Sequence, residues 1–183
     1  MQRREYKEIK ELKADITYRL EILERKLLSL ETRLSDIENS IRKSRSKVIE
    51  SEEKSRSYEE SFLYSQALRD YTLGEYNLAK DEFEEFIRKF PESDLLIDAK
   101  YFLGDSYLLL GDREKARLNF EEIVRSYPNS QRSKESLLKL ADLEEKEGNI
   151  KKAKFYYKEI IKRFPDSEEA LRAGERLKFL ENE

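Results

Sequence analysis

Cysteine, histidine and tryptophan are all missing from this 183-residue chain. Without Cys or His there are no disulfides, no zinc sites built from those ligands, and no Ser-His or Cys-His nucleophile arrangement. No cofactor is expected. The sequence as it stands offers no thiol for an N-terminal lipid. Glycine (5) and proline (3) are scarce, while Glu, Lys, Arg and Leu abound, which is the composition of long helices. No apolar run approaches the length of a membrane span, and the longest, around Leu108 to Leu110, is far too short, so no membrane insertion is expected. The opening MQRREYKEIK lacks the apolar centre of a signal peptide, which leaves a cytoplasmic protein or one whose leader has been removed.

An excess of positive charge is also missing. Residues 1–60 carry 15 basic and 14 acidic side chains, residues 61–183 carry 22 and 26, and the net charge is −3. Phosphate backbones and anionic membranes require the opposite balance, so nucleic acid is not an expected partner. Only 38% of residues are hydrophobic, low for one compact globule. An elongated helical-repeat protein tolerates this, because each unit packs only on its neighbours.

The three prolines stand in three matching phrases: FPES at Phe90–Ser93, YPNS at Tyr127–Ser130 and FPDS at Phe164–Ser167, each 37 residues after the last. Stacking the segments on Pro91, Pro128 and Pro165 aligns further positions. These are Gly74, Gly111 and Gly148; Ala79, Ala116 and Ala153; the aromatics Phe83, Phe120 and Tyr157; and the small residues Ala67, Gly104 and Ala141. Each has a physical reason. Small residues let paired helices approach, and the aromatics fill the space between them. Gly supplies the left-handed angle a helix end needs. Proline stops a helix, and the serine two places on caps the next. An indel-free period over three copies resembles the tetratricopeptide repeat family, whose usual period is 34 residues. The extra residues lie after Pro and predict a first helix about a turn longer in each unit. SEEALRAGERLKFLENE is expected to cap the stack, with Ala170, Leu171, Ala173, Leu177 and Leu180 on one face.

Residues 6–48 read in sevens. Positions a are Tyr6, Lys13, Leu20, Leu27, Leu34, Ile41 and Val48, and positions d are Ile9, Ile16, Leu23, Leu30, Ile37 and Ser44. Eleven of the thirteen are apolar, with no register skip. Basic Arg19, Lys26 and Arg33 at g precede acidic Glu24, Glu31 and Glu38 at e by five residues each, so each would face its opposite in a parallel, in-register homo-oligomer. Between the halves, ESEEKSRSY is polar and serine-rich, a hinge or weak helical joint that does not forbid one continuous helix. The expected fold is all-α: a parallel coiled coil over 1–49 and a joint over 50–57, then a right-handed tetratricopeptide-repeat solenoid over 58–183 with three repeats of 37 residues and a capping helix.

This order of parts resembles the periplasmic Tol–Pal coordinator family, called YbgF or CpoB. The resemblance is strongest over YFLGDSYLLLGDREKARLNFEEIVRSYPNS, residues 101–130. It implies a homotrimer in the periplasm that binds a TolA-like envelope protein or a cell-wall synthase, coordinating outer-membrane constriction with cell-wall synthesis at division. The BamD-type outer-membrane assembly lipoproteins use the same phrase between repeats. They lack the long N-terminal coiled coil and carry a lipidated Cys, and they stand second.

First helices of stacked units line a concave face. Projecting the family's groove positions gives Tyr64, Leu68 and Tyr71, then Asp98, Tyr101, Asp105 and Leu108 with Leu109, then Glu135, Leu138, Asp142 and Glu145. Tyrosines beside carboxylates suit an extended peptide carrying basic residues. Tyr64 and Tyr101 equally suit packing between helices, and Leu108 and Leu109 suit core better than groove. Two carboxylates such as Asp105 and Asp142 are the minimum for glycoside hydrolysis, but nothing marks such a pair among 40 acids, and no enzyme activity is expected. The oligomerisation seam is Ile9, Ile16, Leu20, Leu23, Leu27, Leu30, Leu34, Ile37 and Ile41.

Overall fold

A computed structural model describes residues 2–182, with side chains from residue 5 onward. Among the described residues there are seven α-helices and no strand: α1 (Gln2–Thr72), α2 (Tyr76–Lys89), α3 (Leu96–Leu109), α4 (Arg113–Ser126), α5 (Gln131–Lys146), α6 (Ile150–Arg163) and α7 (Glu168–Glu181). None of these is long and apolar enough to cross a membrane. The chain divides into two units, Met1–Arg56 and Ser57–Glu183.

The second unit is a stack in which each helix packs on the next. The aligned residues make it so. Ala67, Ala79, Ala116, Ala141 and Ala153 are fully buried, and Phe83, Phe120 and Tyr157 fill the space that these small side chains leave. At Gly104 the fit is tight: a Cβ there would meet the Phe120 ring at 3.0 Å. Gly74, Gly111 and Gly148 hold φ of 84°, 86° and 79°, a left-handed turn that L side chains rarely adopt. The chain thereby reverses between α1 and α2, α3 and α4, and α5 and α6.

The serines after proline act in two ways. Ser130 and Ser167 cap α5 and α7, their hydroxyls accepting from the backbone N–H of Ser133 and Ala170 at 3.1 Å. Ser93 accepts from Leu95 N–H at 3.0 Å, and α3 begins only at Leu96. The extra turn expected in the first helix of each unit is therefore present only in part. α5 runs to 16 residues, but α3 has 14, and Phe90–Leu95 absorbs the added length as turns. In the cap, Ala170, Ala173 and Leu180 are buried and Leu177 is partly so. Leu171 departs from the expectation: next in sequence to Ala170, it is turned about 100° away and is exposed.

Polar links tie α4 to α5. Glu144 is fully buried and accepts from Arg117 Nε at 2.9 Å and Asn149 Nδ2 at 2.8 Å. Arg117 also donates to Glu114 and Glu147, both at 2.5 Å. The hydrogen bond to Glu114, together with the charges of Glu144 and Glu147, holds the Arg117 pKa above its ordinary value. A buried carboxylate keeps its charge only with such partners.

In the first unit the seam residues Ile9, Ile16, Leu20, Leu23, Leu27, Leu30, Leu34, Ile37 and Ile41 are all exposed. Residues 50–57, expected as a hinge or a helical joint, are helical as part of α1.

Candidate interaction groove

α3 packs on α5 and α5 on α7, so the first helices of successive units are neighbours on one side of the stack. The candidate groove residues lie on these helices and on the last turns of α1, in different environments. Tyr64 stands edge-on to Phe83 and Phe86, with ring centroids at 6.1 and 5.5 Å. Burial, then the nearby charge of Asp98, raises its pKa. Leu68 and Leu108 are half-buried against the same core. Tyr101 is buried against Phe102 and Phe120, and the Arg132 guanidinium covers its ring at 4.6 Å. These four serve packing first. Leu109, read as core, is half exposed.

Three of the remaining candidates join a ladder between adjacent helices. Tyr71 donates its hydroxyl to Asp105 Oδ2 at 2.5 Å. Asp105, itself buried, also accepts from Lys139 Nζ. Asp98 accepts from Arg132 Nε at 2.5 Å, and Arg132 donates to Glu135 at 2.6 Å. The Tyr71–Asp105, Asp98–Arg132 and Asp105–Lys139 pairs are each separated by 34 residues. That is three fewer than the sequence repeat, so each link reaches diagonally to the next helix, one turn back. Burial works against the charge of Arg132, yet its hydrogen bonds to Asp98 and Glu135 hold its pKa above the ordinary value. Burial first, and the bond to Asp105 second, raises the pKa of Tyr71.

Asp98 and Asp105 are therefore already neutralised by Arg132 and Lys139, two residues that sequence reasoning missed. Asp142 differs. It is exposed and, among the described residues, accepts only the Tyr157 hydroxyl at 2.9 Å, which is shared with Glu145 at 2.9 Å. Glu145 is held below the usual carboxylate range, chiefly by its hydrogen bond from Arg176.

Two open clefts meet at Lys139 and Asp142. One, of about 360 Å³, is lined by Tyr101, Glu135, Leu138, Lys139, Asp142, Glu168, Glu169 and Arg172. The other, of about 460 Å³, is lined by Asp105, Leu108, Leu109, Gly111, Arg113, Lys139, Asp142, Leu143 and Lys146. The first has four carboxylates against two cations, the second two against three. The groove thus carries negative charge toward α7 and positive charge toward the Gly111 turn. Glu168, Glu169 and Arg172 belong to the capping helix, which the repeat alignment assigned only to closing the stack. Among the described residues no cluster of His, Cys, Asp and Glu is arranged to hold a metal ion.

Comparison with known sequences agrees with the boundary between the units. Residues 56–183 match the family described as YfiO: Outer membrane lipoprotein. No curated protein matches the chain. Because the family match spans more than half of its length, the chain belongs to the YfiO outer membrane lipoprotein family.

Proposed function

We propose that the protein is a non-enzymatic adaptor of the cell envelope with two working surfaces. In this reading residues 1–49 form a parallel coiled coil, homotrimeric by preference, and residues 50–57 join it to the second unit. Residues 58–183 form three tetratricopeptide-like repeats with α7 as cap, and they hold an extended segment of a partner protein. The observation that carries it is the groove along α3, α5 and α7. It offers aromatic and aliphatic floor from Tyr101, Leu138 and Leu108 between an acidic and a basic end. A segment with basic residues toward α7 and acidic residues toward Gly111 complements both ends, and such complementarity sets direction and partner choice more than raw affinity.

Membership of the YfiO family supports an envelope location and a scaffold of the BamD type, which assists outer-membrane assembly. The order of parts supports the other reading, a periplasmic Tol–Pal coordinator that binds a TolA-like protein or a cell-wall synthase. The heptad seam favours that reading, because the family match begins at residue 56 and leaves the seam outside it. Light scattering on the full chain beside residues 57–183 tests the self-association. A trimer that becomes a monomer without the first unit is expected, and a monomeric full chain would remove that half of the proposal. Binding assays with a TolA-like protein and with an outer-membrane assembly protein then separate the two readings. Binding to neither, with the groove intact, counts against both.

A further inference from the structure

The seam turns polar after Val48, but its heptad register can be counted on. Position d then falls on Ser51, a on Ser55, d on Tyr58, a on Phe62, d on Ser65 and a on Arg69. Tyr58 and Phe62 are 73% and 55% exposed, and their rings stack with centroids 6.2 Å apart and planes 16° apart. The core side of this helix is formed by Leu63, Tyr64, Ala67 and Tyr71. Two aromatic rings therefore stand on the side that the fold of the chain leaves in water, at the two positions the register assigns to a shared core.

The flanking charges follow the same count. Lys47 at g precedes Glu52 at e by five residues, and Lys54 precedes Glu59 by five, as in the three pairs of the seam itself. Within one chain Lys54 bonds Glu50 at 2.6 Å, and Glu59 accepts from Lys89 at 2.9 Å. All four side chains are exposed, so exchanging these partners across an interface costs little. The serine layer does not forbid burial either, since the Ser51 hydroxyl donates to the Val48 carbonyl at 2.8 Å and is satisfied within its own helix.

We propose that a second copy of this chain covers Tyr58 and Phe62. The homotypic interface passes in one register through the serine layers and closes on an aromatic layer carried by the second unit. Ser65 and Arg69, exposed and polar at the next two core positions, mark its end. An identical parallel helix is the occupant that places each basic g residue opposite an acidic e residue. This rests on the parallel self-association proposed above and extends it into the unit that carries the groove. The grooves of the copies are then held close together, which raises their effective concentration at clustered partners.

Because the chain has no cysteine, one introduced thiol reports one position. The full chain is made as Leu27→Cys in the seam, Phe62→Cys and Tyr58→Cys in the aromatic layer, and Glu53→Cys at the outward f position. Each is mildly oxidised and resolved on a non-reducing gel. A disulfide requires Cα atoms within about 4.4–6.8 Å, a spacing reached between copies at core positions of a parallel coiled coil. The expected result is a strong disulfide-linked dimer band for Leu27→Cys and for the two aromatic-layer variants, approaching the two chains in three that one thiol per chain can pair in a trimer, with little for Glu53→Cys. If Leu27→Cys links while Phe62→Cys and Tyr58→Cys stay at the Glu53→Cys level, the interface stops before the second unit. The proposal is then overturned while self-association stands. If none links, both fall.

Discussion

The two units draw on similar charged and aliphatic residues and bury them differently. In the first unit Leu and Ile recur every three or four residues from Ile9 to Ile41, and every one of the nine seam residues is exposed. In the second unit the buried set includes Ala67, Ala79, Ala99, Ala116, Ala141, Ala153 and Ala173, each fully covered. Residues 1–56 contain one alanine, Ala14, and no Gly, Pro or Phe. Without Gly or Pro, nothing in residues 1–56 stops the helix at the intervals that reverse the chain in the second unit, and without small side chains it lacks the close-approach positions that the second unit repeats. Apolar period alone therefore reports that a face must be covered. Small residues, and breakers at matching intervals, report that the same chain covers it. Fully burying a Leu or Ile side chain contributes about 1.5–3 kcal/mol, which is the scale of what each exposed seam residue would gain on being covered.

The sharpest way to break this contrast is to cut one large side chain from each unit. Phe120→Ala empties the space beside Gly104, Tyr101 and Ala116, and is expected to cost about 3–5 kcal/mol in denaturant unfolding of the full chain. Leu27→Ala, in the exposed seam, should leave the unfolding of the second unit within about 0.5 kcal/mol and act instead on oligomer mass. Equal losses from the two substitutions would mean that the two units do not unfold independently.

Glu144→Ala tests the buried polar links of the same stack. It removes a fully buried carboxylate and strips Arg117 and Asn149 of a shared acceptor, for an expected loss of about 3 kcal/mol. Glu114 and Glu147 still hold Arg117, which keeps the loss from being larger. A thermal shift indistinguishable from wild type would show that the cluster contributes nothing net.

Alkaline pH separates the units without any substitution. In the second unit Tyr71, Tyr101, Tyr107 and Tyr157 have pKa values raised first of all by burial, and Tyr156 is pushed up to about 12 for the same reason. A tyrosine whose folded pKa lies above the unfolded value of about 10 binds its proton more tightly when folded. Its contribution is complete below pH ~10 and is lost as pH rises toward the folded value. Fragment 57–183 should therefore hold a level melting temperature up to about pH 9 and fall steeply beyond 10. A flat profile to pH 12 would contradict the burial of these rings.

Much of the stack was legible. The glycine, proline and serine positions located the helix ends, and the aligned Ala and aromatic residues named the core. What escaped was whatever depends on neighbouring helices. The pairing of Asp98 with Arg132 and of Asp105 with Lys139 follows a diagonal of 34 residues, and an alignment at 37 hides it. Read singly, those aspartates suit a basic partner, but in the folded chain their partners are internal. Tyr64 and Tyr101 were open between groove and packing, and their rings lie against Phe83, Phe86 and Phe120. The late turn before α3 was hidden too, because Ser93 donates to Glu60 on α1.

That distinction between spent and free carboxylates gives the smallest effect and the most specific one. Asp98→Asn leaves Arg132 with Glu135 alone among its carboxylate partners, so its main consequence is for the stack, about 1–3 kcal/mol of stability. Asp142→Asn should cost no more than about 0.5 kcal/mol, because the side chain is exposed and the Tyr157 hydroxyl keeps Glu145. Asp142 nevertheless lines both clefts, where it lies beside Lys139. Its neutralisation should weaken capture of a segment with basic residues and leave a segment without them unchanged, as read by titration with two synthetic peptides that differ only in that charge. If Asp142→Asn binds the basic peptide as wild type does, the acidic end of the groove takes no part in recognition. Partner choice would then rest on the apolar floor of Tyr101, Leu138 and Leu108.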